Sequence, residues 1–164
     1  MEKRIRRIEI LVVILLLFSL ANLTIPIVTN NSKAEGEAEE IIETKELPPD
    51  LNRPVLDKIA YSIKTKFNEG EWNKLYNIYG DFAKAQLSPE HIESEFIKMK
   101  NIIGNIGTYA YSHYVYEGVG ENADWFEIQY KCLFKNGKGT IKISTRTLDG
   151  ISEVTGINIV LDDI

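Results

Sequence analysis

A long uncharged stretch near the N-terminus is the feature that most restricts how this chain can fold. Residues 10–32 contain no charged side chain, and Ile10–Phe18 is wholly apolar. A helix that spans a bilayer needs about 20 mostly apolar residues, and Ile10–Val28 comes close to that length. The sequence therefore predicts one transmembrane helix over residues 10–28.

The charges on either side of this stretch predict its orientation. Residues 1–9 form a basic end that contains Lys3, Arg4, Arg6 and Arg7, whereas residues 29–54 are rich in glutamate. Because basic residues remain on the cytoplasmic side, we expect a cytoplasmic N-terminus and an extracytoplasmic C-terminal domain. The acidic segment is also low in aromatic residues and ends in prolines, which is typical of a flexible linker. The expected partner of Ile10–Val28 is the lipid bilayer.

A cleaved secretory signal is the alternative to a membrane anchor. Ser19-Leu20-Ala21 and Ser32-Lys33-Ala34 both offer small residues of the type that signal peptidases accept. Cleavage after Ala21 or Ala34 would release a secreted or periplasmic protein. Both alternatives place the rest of the chain outside the cytoplasm.

Residues 55–164 read as helices followed by strands. Apolar residues at helical spacing predict one helix from Leu56 to Phe67, a second from Trp72 to Tyr79, and a third that begins at Ser88 and ends before Gly104. The periodicity then changes to two, which indicates strands. Asn136-Gly137 and Asp149-Gly150 are hairpin-turn sequences. The predicted fold class is α+β, with three helices packed on a curved antiparallel sheet of about four strands. The four expected strands are 108–117, 123–134, 139–148 and 151–161.

Composition excludes several classes of function. The net charge of −5 argues against a nucleic-acid-binding protein, which needs clustered lysine and arginine. A single cysteine, Cys132, excludes an internal disulfide and a cysteine-based zinc site. Two histidines and no phosphate-binding loop or catalytic triad leave no cofactor, metal or catalytic residue to predict. We expect Cys132 to be a buried thiol, because it alternates with Tyr130 and Phe134.

A tyrosine-rich strand supplies the only candidate ligand-binding residues, Tyr109, Tyr111 and His113. Strict alternation places these three side chains on one face. The same alternation would divide the strand's four tyrosines between both faces of the sheet. Tyrosine is common at interfaces because it joins an apolar ring to a polar hydroxyl.

Five segments of residues 55–163 carry a resemblance to a known superfamily. They are Gly70-Glu71-Trp72, Leu75-Tyr76, Leu87-Ser88-Pro89-Glu90, Gly104-Asn105-Ile106-Gly107 and Val154-Thr155-Gly156-Ile157. With the order of the elements, they resemble the nuclear-transport-factor-2-like, or cystatin-like, superfamily, and within it short bacterial domains that are often exported or membrane-tethered. The resemblance implies a curved sheet that folds around a helix and leaves a cone-shaped cavity. The exported domain of the bitopic inner-membrane component of type IV secretion systems shares that fold.

Residues 8–26 also resemble the N-terminal helix of type IV pilins. Glu9 opens the apolar run and Pro26 follows 17 residues later, as in that family, although Arg4-Ile5-Arg6-Arg7 stands where the family has its cleavage glycine. A pilin-like subunit would need a helix that runs from Ile5 directly into the domain.

Three hypotheses for the function follow. The first is a membrane-tethered, non-catalytic binding or assembly module of a bacterial envelope, whose partners would be envelope proteins or a second copy of itself. The second is a small-ligand carrier or small enzyme with a cone cavity around His113. The third is the pilin-like subunit.

Overall fold

The computed structural model of the chain describes residues 45–162. The predicted transmembrane helix Ile10–Val28, the basic end 1–9, the two candidate cleavage sites and residues 29–44 of the predicted linker lie outside the described residues. None of the described helices combines the length and apolar character needed to cross a bilayer. Within residues 45–162 the helices precede the strands, so the predicted α+β class is confirmed.

The first helix, α1 (Arg53–Glu69), includes the predicted helix Leu56–Phe67 and has a capping residue at each end. The Asn52 side chain accepts a hydrogen bond from the Val55 amide at the N-terminus, and Pro54 occupies the first turn. Gly70 ends the helix with a φ of 72°, a left-handed conformation that favours glycine. One stripe of the helix enters the core. Its buried residues are Leu56, Ala60, Ile63 and Phe67.

Three more helices complete the described helical half: α2 (Trp72–Tyr76), α3 (Asp81–Lys84) and α4 (Pro89–Ile103). α4 begins as predicted, since Ser88 Oγ accepts from the His91 amide. α2 is shorter than expected, because Tyr79 leaves the helix and forms a parallel bridge with Val154 of the sheet. The chain thus turns back to the sheet at Tyr79, and α3 follows directly after it. The apolar spacing of the sequence did not predict α3.

The sheet is an antiparallel meander in the order β1-β2-β3-β4. Its strands are β1 (Ile106–Gly120), β2 (Ala123–Phe134), β3 (Gly137–Leu148) and β4 (Ile151–Leu161). A register shift separates the pairs Ser144–Gly156 and Thr145–Val154. β4 therefore contains a bulge at Thr155, next to Gly156.

The C-terminal part of the predicted linker belongs to the folded domain. Pro49–Leu51 form a 3-10 turn, and Leu51 is only 3% exposed. Asp50 accepts hydrogen bonds from the backbone amide and the hydroxyl of Ser152, at 2.7 and 2.9 Å. We name residues 45–51 the approach segment. Because Leu51 and Asp50 hold this segment against β4, the domain begins before residue 55. Residues 45–48 have no helical structure, so no continuous helix enters α1.

The core lies between the helices and the inner face of the sheet. Burial of this apolar surface is the main force that holds the helices to the strands. Cys132 is buried as predicted. Among the largest fully buried side chains are Phe67, Leu75, Phe126, Tyr130, Ile141 and Ile143.

Candidate functional site

The two edges of the sheet differ in how they are covered. The β4 edge meets the connection between α2 and α3, where the Gly80 amide donates to the Val154 carbonyl at 2.8 Å. At the start of β1, the Asn68 side chain accepts a hydrogen bond from the Ile106 amide and donates one to the Ile106 carbonyl, both at 2.8 Å. Beyond Ile106, no strand of residues 45–162 pairs with the outer side of β1. From residue 107 to residue 120, the outer side of β1 therefore has no partner strand among the described residues, whereas the outer side of β4 is contacted at Ser152 and Val154.

Bulges in β1 change the predicted directions of its side chains. Tyr111 pairs with Tyr130, but His113 pairs with Gln129, so one extra residue lies between them. Two further shifts lie between Ile106 and Tyr109 and between Tyr116 and Gly118. Each extra residue reverses the alternation beyond it. The expectation that the tyrosines divide between two faces is therefore wrong: all four pack against the core side. We name them the β1 tyrosine row: Tyr109, Tyr111, Tyr114 and Tyr116.

His113 does not share the face of Tyr109 and Tyr111. It is exposed, its neighbour across the sheet is Gln129, and its Nδ1 lies 3.0 Å from Ser112 Oγ. The prediction of one face for these three residues is wrong, because the bulge at Ser112 comes between them. A cavity centred on His113 is therefore not formed on the core side of β1.

The rings of the β1 tyrosine row rest on two aromatic residues of β2. Tyr109 and Tyr111 lie 5.9 and 5.7 Å from the Tyr130 ring, measured between centroids. Tyr114 and Tyr116 lie 6.3 and 5.3 Å from Phe126. Aromatic pairs at these distances stabilise a fold beyond their buried area. The row is thus fixed on one side and partly open to solvent on the other.

Cations from the helical half and the approach segment lie over this row. The Arg53 guanidinium carbon is 4.3 Å from the Tyr111 ring centroid, and Lys64 Nζ is 5.5 Å from that of Tyr109. Lys45 Nζ is 5.9 Å from the Tyr116 centroid. Contacts of this kind are favourable because a cation is attracted to the negative face of an aromatic ring. They tie α1 and the approach segment to the edge strand.

Asp57 joins this group to the buried Tyr130. Arg53 Nε lies 2.8 and 2.9 Å from the two Asp57 oxygens, and the Tyr130 hydroxyl donates to Asp57 Oδ1 at 3.1 Å. Burial, and then the hydrogen bond to Asp57, raises the pKa of Tyr130 well above its ordinary value. Tyr130 consequently keeps its proton and serves as a hydrogen-bond donor.

Burial raises the pKa values of several groups on β1 and β2. It raises the pKa of the Cys132 thiol to about 11, which disfavours the thiolate. Burial likewise raises the pKa values of Tyr109 and Tyr111. Residues 45–162 contain no group of three or more side chains suited to a metal ion.

A carboxylate fixes the far end of the tyrosine row. Lys45 Nζ lies 2.7 Å from both oxygens of Asp124, and the Tyr116 hydroxyl donates to Asp124 Oδ1 at 3.1 Å. The hydrogen bond from Lys45 is the largest cause that lowers the pKa of Asp124. The approach segment is thus anchored at the β1–β2 end as well as on β4.

A separate open groove lies at the turn between α1 and α2, far from β1 in the chain. It has a volume of about 350 Å³ and includes Gly70, Trp72 and Glu93 in its walls. Trp72 stacks on Phe96 at 6.5 Å, and Lys100 Nζ lies 5.5 Å from its ring. Lys100 also donates to the Phe67 and Asn68 carbonyls at the end of α1. The groove walls are therefore formed by residues that pack against the core or cap the end of α1.

No protein-family model matches the chain, and no curated protein matches it.

Proposed function

We propose that this chain is a membrane-tethered, extracytoplasmic binding module of a bacterial envelope, and that β1 is its binding edge. The observation that carries the proposal is that no strand of residues 45–162 pairs with the outer side of β1, whereas Tyr79 bridges to Val154 on the outer side of β4. Strand addition at an open edge gives affinity through main-chain hydrogen bonds and needs no catalytic group. The resemblance to cystatin-like exported domains and the uncharged stretch Ile10–Val28 support the location.

The character of β1 supports a binding role. Edge strands are commonly protected by lysine, proline or bulges. Residues 106–120 contain bulges but no lysine, arginine or proline, and Glu117 is their only formal charge. The tyrosine row beneath the edge is held in place by the β2 aromatics and by Arg53. A rigid, nearly neutral strand can accept a partner strand with little loss of conformational entropy.

Photo-crosslinking in intact cells tests the proposal. A photoreactive amino acid in place of Val115 reports on the β1 edge, and the same residue in place of Ile97 on α4 is the matched control, because these positions are 37% and 40% exposed. We expect a discrete crosslinked product from position 115 and none from position 97. An absence of any product at position 115 would exclude β1 as a binding edge.

Membrane location is tested separately. We expect the full-length protein in the membrane fraction and its C-terminal domain to be degraded when protease is added to spheroplasts. A soluble product shortened by 21 or 34 residues would replace the anchor with an exported, cleaved form. Protection of the domain from protease would contradict the proposed orientation.

A further inference from the structure

We propose that residues 37–44 of this chain, which we name the cover segment, lie along the outer side of β1 and must be displaced before a partner can bind there. This inference rests on the proposed function and concerns the regulation of its binding edge. The cover segment lies outside the described residues, and it joins them at Lys45, the first residue of the approach segment. Its place is inferred from the geometry and the charges of the described domain.

The course of the approach segment indicates on which side of the sheet the cover segment joins it. One row of register partners crosses the sheet from β1 to β4, and it consists of Val119, Asp124, Thr147 and Ser152. Lys45 contacts Asp124 on β2, and Asp50 contacts Ser152 on β4. From Lys45 to Asp50 the chain thus follows this row toward β4. In the opposite direction the row leads from β2 to β1, the edge strand, so residue 44 joins the domain on the β1 side.

The position of this row also sets the direction of the cover segment. Val119 is the last residue but one of β1, so nearly all of the open edge lies toward Ile106. A segment that ends next to Lys45 and follows this edge must therefore run parallel to β1. Eight residues of strand extend over roughly 26 Å. The cover segment is thus as long as the part of β1 that carries the β1 tyrosine row, residues 109–116.

The residues closest to Lys45 suit an added strand. Ile41-Ile42-Glu43-Thr44 contains three β-branched residues, which favour strands. On β1, residues 113–116 lie between two register shifts and pair one to one with β2. A regular stretch of this kind is what the hydrogen bonds of an added strand require. Main-chain hydrogen bonds between these two stretches would hold the cover segment close to its attachment.

Charge complementarity favours the cover segment as the occupant, since it contains four glutamates and no basic residue. Arg53 and Lys64 are 11 residues apart, which is about three turns, so they share one face of α1. They lie over the rings of Tyr111 and Tyr109, in the N-terminal half of β1. Arg53 is exposed, and Lys64 makes no ion pair within residues 45–162.

The order of these charges agrees with the parallel direction. Along β1, Lys45 lies over Tyr116, and the positions of Arg53 and Lys64 follow toward Ile106. At about 3.3 Å per residue, a parallel segment brings its N-terminal half beside these two cations. That half contains Glu37, Glu39 and Glu40.

Direct attachment gives the cover segment an advantage over a free partner. It is joined to the anchored Lys45 without a spacer, so it competes for the edge from a high effective concentration. A partner's apparent dissociation constant is its intrinsic value divided by the fraction of domains whose edge is uncovered. A covered edge is also protected from non-specific strand pairing.

A within-chain photo-crosslink tests the position of the cover segment. The full chain in its native membrane carries a photoreactive amino acid in place of Val115, and Ile97 on α4 is again the matched control. From position 115 we expect a product of monomer mass on a denaturing gel, in which mass spectrometry finds the link to residues 37–44. Position 97 should give no such link. A crosslinked dimer in place of this product, or no within-chain link at position 115, would overturn the proposal.

Two charge reversals on α1 test the electrostatic contribution. Lys64→Glu should reduce the within-chain product about 1.5- to fivefold, which is the effect of one exposed ion pair. Lys58→Glu is the matched control, because Lys58 is exposed on another face of α1 and the change in net charge is the same. Circular dichroism checks that both variants are folded. Equal effects of the two variants would overturn the proposed contact along α1, and the cover with it.

A third variant separates this inference from the proposed function. A glycine–serine sequence of eight residues in place of the cover segment keeps the chain length but removes the glutamates and isoleucines. We expect crosslinks from position 115 to a partner protein to rise at least about twofold, as when half of the edges are covered in the wild type. Partner crosslinks that are present but unchanged would overturn the cover and leave the binding edge. A within-chain link without partner crosslinks from either chain would support the cover and remove the proposed function.

Discussion

The two edge strands of the sheet, β1 and β4, differ in which residues contact their outer sides. β4 is covered by residues that are distant in sequence: Gly80 donates to Val154, and Asp50 accepts from Ser152. β1 is clamped only at Ile106 among the contacts described, and aromatic packing supports it from below. A covered edge contributes to stability, whereas an open edge is available to a partner. The β4 contacts thus join the sheet to the helical half, and it is to the β1 edge that we assign the proposed binding.

The largest effect that this comparison predicts is the response to Gly80→Ala. An added Cβ would lie 2.1 Å from Glu153 Oε2 and 2.4 Å from Glu153 Cβ, so α3 would have to move away from β4. We expect a loss of about 2–3 kcal/mol in the free energy of unfolding. The measurement is chemical denaturation of the full chain in detergent.

Gly137→Ala is the matched control for that experiment. Its added Cβ would meet Leu161 Cδ2 at 3.5 Å, which is an ordinary contact. The two alanine variants should therefore differ in stability. Equal stabilities would mean that the contact between Gly80 and Glu153 does not hold the β4 edge.

Tyrosine ionisation should separate the two edges at high pH. Burial raises the pKa of Tyr79, at the β4 edge, far above its usual value of about 10. Tyr109 and Tyr111, on β1, have pKa values raised mainly by burial as well, but both side chains remain partly exposed. We expect the β1 tyrosines to ionise reversibly while the protein stays folded, and Tyr79 to ionise only on unfolding. Phenolate absorbance during a pH titration measures this.

The sign of the stability change follows from the same pKa values. The folded state of Tyr79 holds its proton more tightly than the unfolded state, so its contribution is complete below about pH 10 and is lost as pH rises further. Tyr109→Phe and Tyr111→Phe should each reduce the amplitude of the reversible part of the titration, and Tyr79→Phe should leave it unchanged. An early, reversible ionisation of Tyr79 would show that the β4 edge is open.

A smaller effect is expected from Asp50→Ala. The substitution removes the two hydrogen bonds to Ser152, and the remaining groups can reach water because this contact is exposed. We expect a loss of about 1 kcal/mol in the free energy of unfolding. Asp50→Asn keeps one acceptor oxygen and should fall between the wild type and the alanine variant. No difference between Asp50→Ala and the wild type would place the approach segment outside the folded unit.

The contrast between the edges was only partly predictable from the sequence. The helix end at Gly70 and the turn at Asp149-Gly150 were readable, because caps and turns depend on local chemistry. The turn predicted at Asn136-Gly137 instead has Lys135 and Asn136 as its central residues, because Gly137 already pairs with Phe134. The bulge at Ser112 was not readable, because TYAYSHYVYE alternates in either register, and only pairing with β2 decides which residue is extra. This extra residue places Tyr114 on the core side of β1 and His113 on the opposite face.

The same limit explains the ends of the domain. Leu51 follows two prolines in an acidic segment, and no periodicity marks it as buried. Its burial depends on tertiary contacts with the sheet, as does the turn of Tyr79 toward Val154. Local signals therefore located the elements, whereas the covering of each edge is a long-range property.

The smallest effect on stability is expected on β1, from Val115→Lys. The Val115 side chain is partly exposed, and its β2 partner is Glu127, so a lysine there loses little packing and gains an opposite charge. We expect a change of less than about 0.5 kcal/mol in the free energy of unfolding.

The same variant should lose the crosslinks at the β1 edge, because a lysine on an edge strand opposes strand addition. A photoreactive residue at exposed His113 reports the crosslinks, and denaturation reports stability. If Val115→Lys were as destabilising as Asp50→Ala, β1 would be a structural edge like β4, and the division of roles between the two edges would fail.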